Sequence, residues 1–108
     1  MHMDHRLFLL RAAAVFSLAA TTFAPLIQAQ KVTTTVTVGS NPFAVAVNPV
    51  TNKSYVVNKM SNNLTVIDGA TNTTATVNTG TTPVAIAVNP ATNKIYVANS
   101  GGNTVNVF

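Results

Sequence analysis

The feature that most constrains this chain is a repeat with a period of 41 residues. Residues 39–67 align with residues 80–108 without a gap, and 15 of the 29 aligned pairs are identical. Within that alignment, residues 48–58 (NPVTNKSYVVN) and 89–99 (NPATNKIYVAN) share eight of eleven positions. Because such a repeat builds one structural unit more than once, every other pattern in the chain has to be interpreted within that unit.

Each period alternates short apolar runs, rich in β-branched and small residues, with Asn, Gly and Pro turn signals. In the first period the runs are residues 43–47, 54–57, 64–67 and 73–78, and no window after residue 29 has helical periodicity. Four short strands joined by turns predict an antiparallel meander, and a meander repeated every ~40–45 residues is the unit of a β-propeller blade. We therefore predict an all-β fold of β-propeller blades, each a four-stranded antiparallel meander.

The strand pattern amounts to about two blades' worth of sequence. Residues 32–38 match a fourth strand, residues 39–79 a complete blade and residues 80–108 an incomplete blade of three strands. Two blades cannot close a ring, since propellers typically have about 4–8 of them. We favour the interpretation that the chain belongs to a larger propeller. Alternatively, several copies assemble, and open apolar strand faces predict self-association if Phe108 is the true C-terminus.

Residues 1–29 have the order of a secretory signal peptide. Arg6 and Arg11 precede an apolar segment, 12–24, and a small residue, Ala29, stands before the expected cut. A retained membrane anchor is the alternative, but a spanning helix needs about 20 apolar residues and Arg11 interrupts the run. We expect cleavage after Ala29, an exported protein (periplasmic, extracellular or cell-surface) and no stable membrane span after cleavage.

The charge of the mature part, residues 30–108, does not favour nucleic acid as a partner. It comes from four lysines against a single acid, Asp68, and no two lysines are adjacent. Nucleic-acid binding needs a basic stripe or patch instead. The chain also lacks cysteine, so packing and strand pairing hold the fold without disulfides.

The sequence offers few groups for catalysis or metal binding. Residues 30–108 contain no His, Cys, Glu or Arg, and Asp68 stands in an Asp-Gly pair of the kind favoured in tight hairpin turns. General acid–base catalysis and metal sites both depend on several such side chains. Ser54, Ser61 and Ser100 therefore lack a base for nucleophilic catalysis. We predict no catalytic, cofactor-binding or metal-binding residue, and no cofactor.

Tyr55 and Tyr96 occupy the same place in successive repeats, where they could line a binding surface. We favour the structural alternative, in which each ring is buried between blades with its hydroxyl near a turn. Residues shared by the repeats serve the common unit, so a specific function is expected where the copies differ. The main difference lies between residues 59–61 (KMS) and 100–102 (SGG).

The repeat resembles a known family. The pattern Gly-x-x-Pro-x-Ala-[Val/Ile]-Ala-Val-Asn-Pro-x-Thr-Asn-Lys-x-Tyr-Val-x-Asn, followed by Asn-x-[Leu/Val]-x-Val-[Ile/Phe], is similar to the YVTN family of WD40-like β-propeller repeats. The resemblance covers residues 39–108, and the family's naming tetrapeptide stands here as YVVN (55–58) and YVAN (96–99), altered at its third position. It implies an exported or surface-layer-like propeller of bacteria or archaea, and relatives of the fold include lactone-opening and lyase enzymes.

Two functional hypotheses follow. The first is an exported non-catalytic β-propeller repeat protein or fragment, acting as a cell-surface or extracellular structural and interaction module with a protein or cell-surface ligand as its partner. The alternative is an N-terminal fragment of a lactonase-like or lyase-like propeller enzyme whose catalytic residues lie in further blades. The lack of an acid–base pair in residues 30–108 favours the first.

Overall fold

The computed structural model describes residues 30–108, which contain seven strands and no helix. In chain order the strands are β1 (Pro42–Asn48), β2 (Lys53–Asn58), β3 (Asn63–Asp68), β4 (Thr74–Asn78), β5 (Pro83–Asn89), β6 (Lys94–Asn99) and β7 (Thr104–Val107). Strands β1 to β4 lie at the predicted positions, with ends that differ from the prediction by at most one residue, and β5 to β7 are the three strands predicted over residues 80–108. The all-β class is confirmed. In this part of the chain, no helix is long and apolar enough to cross a membrane.

The strands form two antiparallel sheets with neighbours in sequence order. The first sheet has the order β1-β2-β3-β4 and the second β5-β6-β7, as expected for meanders. The registers match across the repeat, since Ala46 lies opposite Tyr55 and Ala87 lies opposite Tyr96. In both sheets the first strand shifts its register just after the proline with which it begins, because proline has no N–H for the ladder.

Asparagine shapes the tight turns. Among residues 30–108, left-handed backbone occurs at seven non-glycine residues, with φ between 52° and 60°: Asn41, Asn52, Asn62, Asn72, Thr82, Asn93 and Asn103. Asparagine tolerates this conformation because its short side chain can hydrogen-bond locally. Residues 41 apart share the same value, such as 55° at Asn52 and Asn93. The turn geometry therefore recurs together with the sequence.

The Asp68-Gly69 pair forms a longer connection than a tight two-residue turn. A type I′ hairpin turn needs positive φ at both central residues, and Gly69 has a negative one. Instead, five residues join β3 to β4, with hydrogen bonds from Asp68 N to Thr73 O (2.9 Å) and from Asn72 N to Asp68 O (2.8 Å). Glycine is needed at position 69 for space, because a Cβ there would lie 2.6 Å from the backbone oxygen of Asn52.

The core lies between the two sheets, where β5 packs against β1 and β2. Side chains alternate along a strand, so Tyr55 and Val57 enter the core from β2, and Ile95 and Val97 enter it from β6. Leu64 of β3 completes the buried cluster. Each large apolar side chain buried in this way stabilises the fold by about 1.5–3 kcal/mol, which explains why the sheets stack.

The strand predicted over residues 32–38 is not formed, since residues 30–41 carry no strand. The physical reason is that a strand requires a ladder partner, and the two sheets contain β1 to β7 alone. The seven strands all lie within Val36–Phe108, which forms one compact unit. The predicted signal peptide, 1–29, lies outside the described residues.

Candidate interaction surfaces

Each sheet buries one face and exposes the other. We call the exposed side of the first sheet its outer face, formed by Phe43, Val45 and Val47 of β1 together with half-buried Val56 of β2. Val45 is 66% exposed and Val47 59%, while the two alanines between these residues point toward the core. Adjacent apolar side chains left open to solvent in this way are typical of a contact surface.

The outer face of the first sheet contains a shallow hollow. Its volume is about 200 Å³, and its lining consists of Pro42, Phe43, Ala44, Val45 and Val56. Lys59, in the turn after β2, holds its Nζ 4.9 Å from the centre of the Phe43 ring, which is within cation–π range. A positive charge therefore borders the apolar surface.

The Lys59–Phe43 contact was missed by sequence reasoning. Both residues depart from the repeat, because Val84 and Ser100 stand at the matching positions. The sequence signal for this contact is that both residues differ from their equivalents in the other repeat. The contact lies at a place where the two copies differ, which is where a specific function is expected.

The second sheet also has an outer face, formed by Ala85, Ala87, Tyr96, Ala98 and Val105. A hollow of about 220 Å³ is lined by these residues and Ile86. The alanines leave the space, and the larger side chains of Tyr96 and Val105 border it. The exposure of apolar strand faces, expected from the sequence, is therefore present on both sheets.

The expectation that both tyrosines are buried is correct for Tyr55 and wrong for Tyr96. Tyr55 is 4% exposed and Tyr96 37%. The second sheet covers the face of the first sheet that carries Tyr55, and within residues 36–108 no sheet covers the face that carries Tyr96. Tyr96 is consequently part of the open surface.

The turns that differ most between the repeats make different contacts. In the first sheet, Ser61 Oγ accepts a hydrogen bond from Ser40 N at 3.0 Å and donates to Asn63 Oδ1 at 2.9 Å. In the second sheet, a Cβ on Gly101 would lie 2.7 Å from Thr82 Oγ1, so the turn lies tightly against the segment between the sheets. Part of the sequence difference at 100–102 is therefore structural.

A buried asparagine stands at the end of the second strand in each sheet. Asn58 Nδ2 donates to Asn63 Oδ1 and Thr65 Oγ1, both at 2.9 Å, and Asn99 Nδ2 donates to Asn106 Oδ1 at 2.8 Å. The side-chain oxygens of Asn58 and Asn99 are buried without a hydrogen-bond partner in the protein. Each cluster ties neighbouring strands of its own sheet together, which is a structural role.

The polar residues considered for chemistry lie in strands and turns. Asp68 Oδ1 accepts a hydrogen bond from Ala70 N at 2.9 Å, so this carboxylate holds the start of the β3–β4 connection. Ser100 Oγ donates to Thr82 O at 3.2 Å, and Ser54 lies within β2. Among the described residues, no three His, Cys, Asp or Glu side chains form a group that could hold a metal ion.

Comparison with protein-family models finds no match, and neither does comparison with curated proteins. Among solved structures, the chain is similar to hydrazine synthase of Kuenenia stuttgartiensis, with a TM-score of 0.59 and 26% sequence identity. The similarity covers 74% of this chain and 22% of that one, so this chain matches less than a quarter of its length. Two stacked antiparallel meanders are consistent with a β-propeller-like fragment.

Proposed function

We propose that the chain is an exported, non-catalytic β-propeller repeat module of the YVTN type, which acts through protein contacts at the cell surface or outside the cell. The first sheet is then a complete blade, and the second is a blade with three of its strands in residues 80–108. The observation that carries the proposal is that both sheets expose an apolar face. Such faces suit contact with another protein better than binding of a small polar substrate.

The apolar surface is continuous across neighbouring strands. In the first sheet Val45 lies directly opposite Val56 in the ladder. In the second sheet the outer face spans three strands, because Ala87 is paired with Tyr96 and Ala98 with Val105. Contiguous exposed apolar side chains of this kind favour contact with a partner over free exposure to solvent.

The residue types in the mature chain support a non-catalytic role. Asp68 is the only carboxylate side chain in residues 30–108, and the same range has no imidazole or thiol. Acid–base catalysis relies on positioned titratable groups, usually in pairs. The alternative, a fragment of a lactonase-like or lyase-like enzyme, would take its catalytic residues from blades outside this sequence. The similarity to hydrazine synthase covers 22% of that chain and gives no argument for the same reaction here.

Export rests on the leader, and it is tested by the N-terminus of the recovered protein. The full chain, expressed in a bacterial host and fractionated, is expected in the periplasm or the medium with Gln30 as its first residue. Mass spectrometry of the intact protein reads that terminus directly. An uncleaved chain confined to the cytoplasm would contradict the export part of the proposal.

The interaction role is tested with lysine substitutions at exposed positions. In the organism that encodes it, the tagged chain is expected to fractionate with the cell surface. Val45→Lys and Ala87→Lys place a charge on one outer face each and should release the protein into the medium. Val50→Lys is the matched control, because Val50 is 75% exposed in the β1–β2 turn. Equal retention of all three variants would mean that these faces do not mediate the interaction.

The proposal that the chain is non-catalytic is tested with Asp68, the one acidic side chain in residues 30–108. The purified chain is expected to show no turnover of lactone substrates. If turnover were found, and were lost in Asp68→Asn while the melting temperature stayed unchanged, the proposal would fail in favour of an enzyme.

A further inference from the structure

The contact between the two sheets shows what each kind of face fits. Ala44 and Tyr55 of the first sheet pack in one cluster with Ile86 and Val97 of the second. The first sheet contributes Ala44 and Tyr55 together with branched side chains such as Val57 and Leu64, whereas the second contributes branched side chains alone. The two faces therefore differ, since only the first combines an alanine with a tyrosine.

The outer faces reproduce these two halves. Residues 41 positions apart are equivalent in the repeat, so Val45 on the outer face of the first sheet corresponds to Ile86 in the core. Likewise, Tyr96 on the outer face of the second sheet corresponds to Tyr55 in the core. The chain therefore exposes, on two different sheets, both halves of the interface that it already forms internally.

We infer that the partner of these faces is a second copy of the same chain, docked head-to-tail. The outer face of the first sheet of one copy lies on the outer face of the second sheet of the other. This inference rests on the proposed function, because it names the partner for the same surfaces. The valines of the first face enter the 220 Å³ hollow beside Tyr96, as Ile86 packs beside Tyr55 within the chain.

A polar contact supports the same arrangement. Asn48 Nδ2 donates to Asn93 Oδ1 at 3.1 Å and so links the two sheets. The equivalent pair is Asn89 of one copy and Asn52 of the next. Asn48 is fully buried, whereas Asn89 is exposed. Docking of the second copy would bury Asn89 and give its amide the partner that Asn48 already has.

A backbone hydrogen bond in the segment between the sheets supports the same arrangement. After β4 the chain passes Asn62, whose side-chain oxygen accepts from Thr82 N at 2.8 Å before β5 begins. By the same shift of 41, the residues before β1 in a second copy would pass Asn103, with Asn41 N as the matching donor. The residues before β1 of the docked copy would therefore run past the second sheet in the same way as the residues between β4 and β5 run past the first.

This approach places Val36 and the two residues after it, at the end of the predicted strand, beside β7, which has β6 as its only neighbour in the described sheets. In the first sheet, Leu64 of β3 lies opposite Val77 of β4. The equivalent pairing sets Val105 of one copy opposite Val36 of the other. The second sheet would thus gain its fourth strand from the docked copy, and the predicted strand would gain its ladder.

The assembly is heterologous, so it closes into a ring or extends as a filament. With two sheets in each copy, a ring of about 4–8 blades corresponds to about two to four copies. The contact should be weaker than the internal one. The outer face of the first sheet has Ser54 at the position equivalent to buried Ile95. The outer face of the second sheet has Ala98 at the position equivalent to buried Val57.

The test is sedimentation of the exported protein, recovered after expression of the full chain and beginning at Gln30, at concentrations from about 1 to 200 µM, the range in which weak association is populated. The wild type is expected to associate reversibly into two to four copies. Val45→Lys and Ala87→Lys should each weaken association more than about tenfold, since a buried unpaired charge is costly. Val50→Lys should behave as the wild type, because Ala91, its counterpart beside the internal interface, stays exposed. Circular dichroism checks that each variant is folded.

The decisive measurement mixes the two blocked variants. Val45→Lys keeps an intact second-sheet face, and Ala87→Lys keeps an intact first-sheet face, so the mixture should form a 1:1 dimer that neither variant forms alone. A monomeric wild type, a mixture that stays monomeric, or Val45→Lys that still self-associates would overturn the inference. If the mixture stays monomeric while both variants lose retention at the cell surface, the partner is another molecule and the proposed function stands.

Discussion

Strands β2 and β6 occupy the same place in the repeat but bury opposite faces. Their sequences are KSYVVN and KIYVAN, yet β2 buries Tyr55 and Val57 while β6 buries Ile95 and Val97. Both strands have the same register with their neighbours. The two strands differ in which side of their sheet is covered by the other sheet. The repeat therefore encodes two faces that can pack, and position in the stack decides which of them is buried.

The substitutions within these two strands agree with that interpretation. Within residues 36–108, Ser54 lies on the side of β2 that no sheet covers, and Ala98 lies on the side of β6 that no sheet covers. Their equivalents in the repeat are the buried Ile95 and Val57. In both cases the smaller or more polar residue lies on the outer side. Both residues reduce the apolar area that the outer faces expose. The faces are still apolar, because the valines of β1 and the ring of Tyr96 are exposed.

The largest contrast should appear when the two tyrosines are truncated. Tyr55→Ala is expected to lower the free energy of unfolding by about 3–5 kcal/mol, the range for large aromatic residues removed from a core. A domain of this size has little more than that in total, so the variant should be largely unfolded. Tyr96→Ala should cost less than about 1.5 kcal/mol, since its ring loses less burial.

Urea denaturation at low protein concentration measures both changes without a contribution from association. Equal losses for the two variants would break the comparison, because they would require Tyr96 to be as buried as Tyr55. A larger loss for Tyr96→Ala at high concentration only would instead locate its effect in the contact between copies.

The buried asparagines should behave alike, in contrast to the tyrosines. Asn58 and Asn99 hold strands within their own sheets, so neither depends on the stack. Replacement of each by alanine is expected to lower the free energy of unfolding by about 1–3 kcal/mol, the cost of buried hydrogen bonds left unmade. Denaturant titration of both variants checks this. A loss confined to Asn58→Ala would show that the second sheet is held differently from the first.

Asn48 and Asn89 provide a smaller contrast between the sheets. Asn48 bonds across the interface to Asn93 and also accepts from Val50 N at 3.0 Å, whereas Asn89 accepts locally from Ala91 N at 3.1 Å. Asn48→Ala should therefore cost about 1–2 kcal/mol and Asn89→Ala about 0.5 kcal/mol. Thermal unfolding at low concentration distinguishes them. Equal shifts in melting temperature would mean that the bond between the sheets contributes nothing beyond the turn.

Local sequence patterns were sufficient to place every strand of the two sheets. Alternation and turn residues are local properties, and the strand ends follow from them within one residue. The strand at 32–38 and the burial of Tyr96 depend instead on a neighbour that the local sequence does not specify. The role of Gly69 was missed for a related reason, because its close approach to Asn52 joins two separate turns. The outer faces could be expected from the repeat, but not their hollows or the Lys59–Phe43 contact.

The smallest effect should come from Thr82, where the two repeats have one backbone conformation and different residues. Its φ is 56°, the same as that of Asn41 at the equivalent position. A β-branched residue is strained in the left-handed region, while asparagine adopts it readily. The hydrogen bonds from Thr82 N to Asn62 and from Ser100 N to Thr82 O use the backbone, so Thr82→Asn keeps them. It should raise the free energy of unfolding by about 1 kcal/mol and the melting temperature by about 4–8 °C.

Thr81→Asn, next to it with an ordinary φ, is the matched control and should change neither. If both variants melted together, the turn would be relaxed for threonine, and the two linkers would differ in their energetics despite their equal geometry.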